Sequence, residues 1–455
     1  MKTPAVSLIT AALGASSALA SVIETRDSKV TPITVKGNEI ISRFVTNSRK
    51  HHPLYALQKL TPAKKQGGSS KVEDPIAEPD TCKRDIQYFK ELGVNTVRIY
   101  TVDNSKSHDE CMKALADAGI YLVLDVNTPK YSINRKEPSA SYNDVYLQNV
   151  FATVEMFAKY DNTLAFFSGN EVINDGPTSN TAPYVKAVTR DIRQYIRSRK
   201  LRNVPVGYSA ADIDTNRLEM AQYMNCGSDD ERSDFFAFND YSWCSPSSFT
   251  TSGWDQKVKN FTGYGLPLFL SEYGCNTNKR DFGEVSALFS DKMTSVYSGG
   301  LVYEYSQEPS NYGLVDLSND KVSKLADFDT LKKAFAGTQN PKGDGGYNSS
   351  GGANPCPKKN APNWDVDNSA LPAIPEPAKK YMTSGAGTGP GLSGKGSQNA
   401  GTKSSGTATP GSSSGPNASK GAAAGLRPEI GLAPMMCAMV VVLSTVFGAS
   451  FIFMV

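Results

Sequence analysis

Two glutamates end apolar runs of the chain, and together they have the equipment for glycosidic bond cleavage. One run closes on Ser168-Gly169-Asn170-Glu171, and another on Ser271-Glu272. A carboxylate at the mouth of a buried strand loses hydration, so its presence there needs a reason. Two such carboxylates across a cleft can protonate a leaving oxygen and attack an anomeric carbon with retention of configuration. The alternative is that each glutamate is half of a structural ion pair.

The residues around the two glutamates suggest a role for each. The Asn170 amide, directly before Glu171, can bond the 2-hydroxyl of a bound sugar ring, which makes Glu171 the candidate acid/base and Glu272 the candidate nucleophile. Tyr241 can donate its hydroxyl to the nucleophile carboxylate. Arg98 can hold that carboxylate ionised, since a nearby opposite charge favours the charged form. Barrel packing and an internal ion pair are the alternatives for Tyr241 and Arg98.

Aromatic residues crowd the same run ends. Sugar rings present apolar C–H faces that pack on aromatic rings, although strands are also simply rich in tyrosine. Only the aromatics at C-terminal strand ends count for a sugar site. The candidates are Tyr100, Tyr131, Tyr241, Trp243, Tyr303, Tyr305 and Tyr312.

The elements that must position these residues alternate regularly. Short β-rich runs occur at 94–101, 121–128, 164–172, 204–210, 235–244, 267–275 and 300–307. Segments with helical spacing lie between them, among them 81–92, 145–160, 184–200 and 282–297. With one more strand before Asp80, the pattern predicts an α/β fold, a (β/α)8 TIM barrel. A doubly wound sheet is the competing architecture, but it usually carries an early Gly-rich phosphate turn, which the sequence lacks.

Both ends of the chain differ in composition from this middle part. Residues 1–20 read as a secretory signal peptide. Residues 421–455 read as a GPI-attachment signal, with Asn417 or Gly421 as the attachment residue; a transmembrane helix is the alternative. About half of residues 384–420 are Gly or Ser, so 378–420 is predicted to be a disordered, flexible stalk. The catalytic domain is therefore predicted at 21–377.

Charge and cysteine usage narrow the class of protein. With 48 Lys and Arg against 45 Asp and Glu, the charge gives no reason to expect a nucleic-acid partner. The three histidines have no metal-ligand spacing, and neither a metal nor another cofactor is expected. Six cysteines in a secreted domain predict three disulfides. The sequons at Asn260 and Asn348 fit export.

Several of these motifs together resemble one known family. They are Gly67-Gly68-Ser69-Ser70-Lys71-Val72-Glu73-Asp74, Arg98-Ile99-Tyr100, Asn170-Glu171 and Ser271-Glu272-Tyr273-Gly274-Cys275. In these motifs the chain resembles the GPI-anchored β-1,3-glucanosyltransferases of fungal cell walls, glycoside hydrolase family 72. It is similar to the members without a Cys-rich carbohydrate-binding module. The match runs from about Gly67 to Cys356.

The resemblance implies an enzyme that cleaves β-1,3-glucan internally, holds one part on Glu272 and transfers it to the non-reducing end of another glucan. The implied partners are donor and acceptor glucan and, through the GPI lipid, the membrane. The implied location is the outer face of the cell membrane, the wall, or both. Donor contacts would come from Tyr100, the loop from Asn127 through Tyr131 to Arg135, Asn170 and Tyr303, with Tyr241 also at the substrate.

For the acceptor, the resemblance implies contacts from Glu171, Asp212 and Arg217. Asp212 also has a structural interpretation, as N-cap of the following helix. The family pattern would pair Cys82 with Cys111, Cys226 with Cys356, and Cys244 with Cys275.

Residues 45–66 depart from the family pattern. The first barrel strand is expected there, yet no clean strand pattern is visible. One hypothesis is an error in the gene model, and sequencing the transcript tests it. If the segment is real, the barrel is expected to lack its normal first strand. Two other functions stay open: an endo-β-1,3-glucanase, and a catalytically silent wall-binding protein.

Overall fold

The computed structural model describes residues 34–36, 39–41, 55–58, 72–317, 321–339, 341, 352–368 and 371–408. Residues 34–36, 39–41 and 55–58 are described by backbone alone. Eight parallel strands form a closed barrel, in the spatial order β8-β1-β2-β3-β4-β5-β6-β7. They are β1 Tyr55–Gln58, β2 Thr96–Ile99, β3 Tyr121–Asp125, β4 Thr163–Asn170, β5 Val206–Ala211, β6 Phe235–Asn239, β7 Leu268–Tyr273 and β8 Tyr297–Val302.

A helix follows each strand, which is the arrangement of a (β/α)8 barrel. The helices are α1 Pro79–Leu92, α2 Asp109–Asp117, α3 Asp144–Ala158, α4 Ala182–Ser198, α5 Arg217–Met224, α6 Trp254–Phe261, α7 Gly283–Leu288 and α8 Ala326–Gly337. Local signals set several of their ends. Proline in the first turn suits the start of α1, and Gly93 ends it with φ +79°. The Asn143 side chain caps α3 by accepting from the Tyr146 N–H.

Apolar side chains fill the barrel below the site. Strands β2 to β7 are almost entirely buried along their length, as expected of parallel strands covered on both faces. Inside the barrel, Phe167, Phe235 and Phe269 pack together, with ring centroids 5.4 to 6.1 Å apart. This packed layer supports the polar residues at the strand ends above it.

All seven strands predicted from the sequence are present, but their bounds differ. β8 spans Tyr297–Val302 rather than 300–307, and β4 ends at Asn170 rather than at 172. The helix predicted at 282–297 is instead split into Gly283–Leu288 and Asp291–Thr294. Ser290 lies between them in an extended conformation. Serine competes for backbone hydrogen bonds in non-helical conformations and favours helix starts, which accounts for the break.

The first barrel strand, expected to be missing, is present. Tyr55–Gln58 pairs in parallel with β8 on one side and with β2 on the other. The expectation of a barrel without its first strand was wrong because four residues suffice for this pairing, and so short a run shows no periodicity. The gene-model hypothesis for 45–66 otherwise concerns residues outside the described ones.

The flexible stalk predicted at 378–420 is wrong for residues 378–408. This part includes the short helix Tyr381–Ser384 and the strand Thr407–Ala408, which pairs with Leu371–Pro372. It also bonds the barrel at many points, for example from Gln148 Nε2 to the Ala386 carbonyl at 2.8 Å. Composition misled the prediction because backbone groups, rather than side chains, make most of these contacts. The barrel unit therefore reaches 408, beyond the predicted limit of 377.

The other predicted segments lie outside the described residues: the signal peptide at 1–20, residues 409–420 of the stalk, the attachment residues Asn417 or Gly421, and the signal at 421–455. Within the described part of the chain, no helix is long and apolar enough to cross a membrane.

Three disulfides join the pairs that the family resemblance implied. They are Cys82–Cys111, Cys226–Cys356 and Cys244–Cys275, with Cα atoms 5.8, 5.0 and 5.0 Å apart. Asn260 is exposed on α6, accessible to a glycan. Asn348 lies outside the described residues.

Candidate active site

Polar side chains from six consecutive strands form one network at the carboxyl ends of the barrel strands. In a barrel of this class, function sits at that face. The members, one each from β2 to β7, are Arg98, Asp125, Asn170, Ser209, Asn239 and Glu272. The network links both glutamates selected from the sequence.

Glu272, near the end of β7, is 7% exposed and receives three donors. The Tyr100 hydroxyl donates to Oε1 at 2.5 Å, and the Tyr241 hydroxyl donates to Oε2 at 2.5 Å. The Arg98 guanidinium lies 3.5 Å from Oε1. Both carboxylate oxygens therefore accept, which matches the ionised form of the group.

Burial and donors pull the protonation of Glu272 in opposite directions. Burial raises the pKa of the Glu272 carboxyl above its ordinary value. The Arg98 charge and the two tyrosine hydroxyls oppose that rise. Burial also raises the pKa of Tyr100 and of Tyr241 well above the usual range, so both hydroxyls remain protonated donors.

Arg98 is fully buried and joins the two halves of the site. It pairs with Asp125 through Nε at 2.7 Å and Nη2 at 3.0 Å, a bidentate geometry. Its Nη2 also donates to Asn170 Oδ1 at 2.9 Å. The guanidinium stacks on the Tyr100 ring, 4.3 Å from its centroid. One cation therefore neutralises a structural carboxylate and faces the candidate nucleophile.

The Asn170 amide has a fixed orientation. Its Oδ1 accepts from Arg98 Nη2, from Ser209 Oγ at 2.7 Å and from Asn239 Nδ2 at 3.1 Å. Arg98 can only donate, so the oxygen must face it. The Asn170 NH2 group is therefore turned away from this network and is the group left to donate.

Glu171 is held very differently from Glu272. It is half-buried, and Asn239 Nδ2 donates to its Oε1 at 2.8 Å. Its φ is +48°, in the left-handed region that residues other than glycine rarely adopt. Arg135 donates from Nη2 to the Glu171 carbonyl at 2.6 Å. Strained backbone of this kind clusters at functional sites, where the surrounding contacts maintain it.

An aromatic wall stands beside Glu272. Tyr241, Tyr303 and Tyr312 are half-buried and pack edge to face, with centroids 5.1 to 6.2 Å apart. Two other aromatic candidates lie away from it. Tyr305 is buried and donates to Asp85, while Trp243 packs on Trp254. The wall is therefore narrower than the strand-end aromatics suggested.

Asp212 and Arg217 form a second charged group after β5. They pair with each other, and Lys257 Nζ bonds Asp212 Oδ2 at 2.5 Å and Asp240 Oδ2 at 2.6 Å. The N-cap of α5 is Asn216, so the N-cap interpretation of Asp212 is wrong. The Asp212 carboxylate instead forms ion pairs with Arg217 and Lys257.

Two of the expected donor contacts have other partners. Tyr131 is 2% exposed, and its hydroxyl accepts from the Gly396 N–H at 3.2 Å, so the ring is covered. The Asn127 amide donates to the Ser168 carbonyl at 3.0 Å and accepts from the Tyr146 hydroxyl at 2.6 Å. Both residues shape the loop after β3, and the structure does not leave them free at the cleft.

Three network members were missed from the sequence. Asp125, Ser209 and Asn239 end or nearly end β3, β5 and β6. For Asp125 and Asn239 the signal was available, because each is a polar residue at the end of an apolar strand. Ser209 is followed by Ala210 and Ala211 within its strand and does not stand out. Among the described residues, no three His, Cys, Asp or Glu side chains are grouped as metal ligands.

Comparison with known proteins identifies the family of the chain. The family model described as glucanosyltransferase, glycoside hydrolase family 72, matches residues 22–339. The chain belongs to this family.

Individual relatives give the extent of the similarity. The 1,3-beta-glucanosyltransferase gel1 of Aspergillus fumigatus is 69% identical over 461 aligned positions, covering 98% of this chain and 99% of that protein. GAS5 of Saccharomyces cerevisiae, with the same activity in its name, is 50% identical, covering 84% and 77%. Among solved structures, Saccharomyces cerevisiae Gas2 superposes with a TM-score of 0.70 at 37% identity, covering 77% of each chain. A point mutant of Gas2p in complex with laminaritetraose and laminaripentaose gives 0.69, also at 37% identity, covering 77% of this chain and 76% of that one.

Proposed function

We propose that the protein is a retaining β-1,3-glucanosyltransferase that elongates cell-wall glucan. The observation that carries the proposal is the pair of glutamates at the ends of β4 and β7, which share one polar network but have opposite surroundings. Two carboxyl groups with different environments can take the separate roles of acid and nucleophile. The names of the similar enzymes and the glucan oligosaccharides in the Gas2p complex support the substrate class.

In the first half-reaction, Glu272 attacks the anomeric carbon of a glucan residue within the donor chain. The glycosidic bond breaks, and the leaving oxygen takes the proton of Glu171. The Asn170 NH2 group, which faces away from the polar network, bonds the 2-hydroxyl of the reacting ring in this proposal, an interaction that strengthens in the transition state. The product is a glycosyl-enzyme ester on Glu272, and the reducing-side fragment departs.

In the second half-reaction, Glu171 acts as base. It takes the proton of the 3-hydroxyl at the non-reducing end of an acceptor glucan, whose oxygen attacks the anomeric carbon. The ester bond to Glu272 breaks, the carboxylate is restored, and two inversions leave a β linkage. Asp212 and Arg217 supply polar contacts, and Tyr303 an aromatic contact, for the sugar chains in this proposal.

The proposed location is outside the cell. Export through a signal peptide at 1–20 and attachment to a GPI lipid at Asn417 or Gly421 would keep the enzyme on the outer face of the membrane, in the wall, or in both. The three disulfides support an oxidising compartment.

The test is incubation with a reduced laminarin-type oligosaccharide, followed by separation of products by length. Products longer than the substrate are expected. Only shorter products would make the protein an endo-β-1,3-glucanase, with water resolving the ester. No turnover, with wild type as silent as the Glu171→Gln and Glu272→Gln variants, would leave a wall-binding protein.

A further inference from the structure

Residues 386–404 form a strap that crosses the loop between β3 and α3, which covers residues 126–143. We propose that this strap is a positioning element of the active site, which holds the loop in the shape that fixes Glu171. The inference rests on the proposed function. The strap lies outside the family match, which ends at 339, and composition alone would make it a spacer.

The contacts between strap and loop are numerous and directional. The Ser397 N–H donates to the Lys130 carbonyl at 2.9 Å, and Lys130 Nζ donates to the Leu392 and Gly394 carbonyls at 2.9 and 3.0 Å. Gln398 Nε2 donates to the Ser132 carbonyl at 2.8 Å. These bonds fix Lys130 and Ser132, two residues apart in the loop, a pattern that a spacer has no reason to make.

The strap also bonds the end of the loop and the start of α3. Asn143, fully buried, donates from Nδ2 to the Ser397 carbonyl at 2.7 Å while its Oδ1 caps α3. The Asp144 N–H donates to the Thr402 carbonyl at 3.2 Å. The same stretch of chain therefore sets both the loop and the helix that follows it.

Close approach explains why glycine recurs in the strap. A Cβ on Gly394 would come within 2.1 Å of the Tyr131 hydroxyl oxygen, which is itself buried. Gly396 has φ +92°, in the left-handed region. At these two positions glycine lets the backbone lie directly on the loop.

From the loop, the contacts lead to the candidate acid. Arg135 holds the Glu171 carbonyl at 2.6 Å, where the backbone is left-handed. Asn127 holds the Ser168 carbonyl at 3.0 Å, on the strand that ends at Asn170. A loop released by the strap would loosen both contacts, and with them the orientation of Glu171.

The test compares two exposed strap side chains in the full-length protein. Gln398→Ala removes the bond to Ser132, and Lys395→Ala is the matched control, since Lys395 is an exposed strap residue nearby. Loss of one hydrogen bond predicts a fall in kcat of about two- to tenfold for Gln398→Ala, because Glu171 is less well oriented. Lys395→Ala is expected to stay within about twofold of wild type, because surface substitutions away from such contacts have small effects.

Gly394→Val tests the whole strap. For Gly394→Val we expect a fall in kcat/KM of about tenfold or more and faster hydrogen exchange of amides in 126–143. For Gln398→Ala we expect thermal unfolding to stay as in wild type. The proposal fails if Gln398→Ala and Lys395→Ala have the same kcat, whether or not Gly394→Val folds. A failure of the proposed function is distinct, since wild type itself would then show no turnover.

Discussion

The two glutamates of the site differ in almost every physical respect. Glu272 is buried on strand β7, with one donor or more on each carboxylate oxygen. Glu171 is half-buried, has one side-chain donor and sits on left-handed backbone supported from the neighbouring loop. A nucleophile must stay ionised and aligned, whereas an acid/base must exchange protons with a leaving group and an acceptor. The contrast supports the proposed roles, with Glu272 as nucleophile and Glu171 as acid/base.

The largest expected effect is loss of the nucleophile. Glu272→Gln keeps the shape but cannot form the ester, so we expect the transfer rate to fall by about 10⁴-fold or more. Glu171→Gln is expected to cost about 10²- to 10⁴-fold, the usual range for one acid/base group. Initial rates of chain elongation measure both, with thermal unfolding as the control for folding. Equal rates for Glu272→Gln and wild type would overturn the assignment.

Removal of the Arg98 cation is expected to lower the stability of the protein as well as its activity. Arg98→Met leaves Asp125 and Glu272 buried without their counter-charge, which we expect to lower the free energy of unfolding by about 3–5 kcal/mol. Denaturant unfolding at neutral pH measures this. Arg98→Lys keeps the charge but not the bidentate geometry, so its free energy of unfolding is expected to lie between those of wild type and Arg98→Met. A stability equal to wild type for Arg98→Met would contradict the ion network.

The tyrosine hydroxyls that donate to Glu272 are expected to influence how the rate depends on pH. Tyr241→Phe removes a hydroxyl that lowers the pKa of Glu272, so that pKa rises further. Because the protonated carboxyl cannot attack, the acid limb of the kcat/KM profile moves to higher pH, and the rate falls about tenfold or more. Tyr312→Phe is the control, since its hydroxyl is not among the donors to Glu272. An unmoved acid limb would contradict the role of Tyr241.

The smallest effect on activity is expected for a residue that supports Glu171, rather than for Glu171 itself. Asn239→Ala removes the side-chain donor to Glu171 and one of three donors to Asn170. We expect a fall in kcat of about tenfold, as for one hydrogen bond to a charged group. Asn239 is buried and also accepts from Ser209 and Ser271, so the free energy of unfolding is expected to fall by about 1–3 kcal/mol. A loss as large as that of Glu272→Gln would mean that the two sides are not as different as their surroundings imply.

The sequence predicted the seven strands from β2 to β8, the positions of both glutamates and the bonds to Glu272 from Tyr241 and Arg98, because buried parallel strands read as apolar runs and their polar ends stand out. It did not reveal β1, whose four residues carry no periodicity. It also mistook residues 378–408 for a stalk, because composition records side chains and this segment binds through its backbone. For the same reason the sequence did not predict the burial of Tyr131, because the strap that covers this residue was taken for part of the stalk.

By itself, the sequence determined which residue types stand at the strand ends, and so the kind of chemistry available. Only the tertiary structure decided how those residues differ. Strand order brings Arg98 from β2 next to Glu272 on β7, and barrel closure surrounds the pair with low-dielectric packing that strengthens their interaction. The chain separation of 174 residues between them contains no such information, because proximity across a closed sheet depends on pairing and register rather than on local pattern.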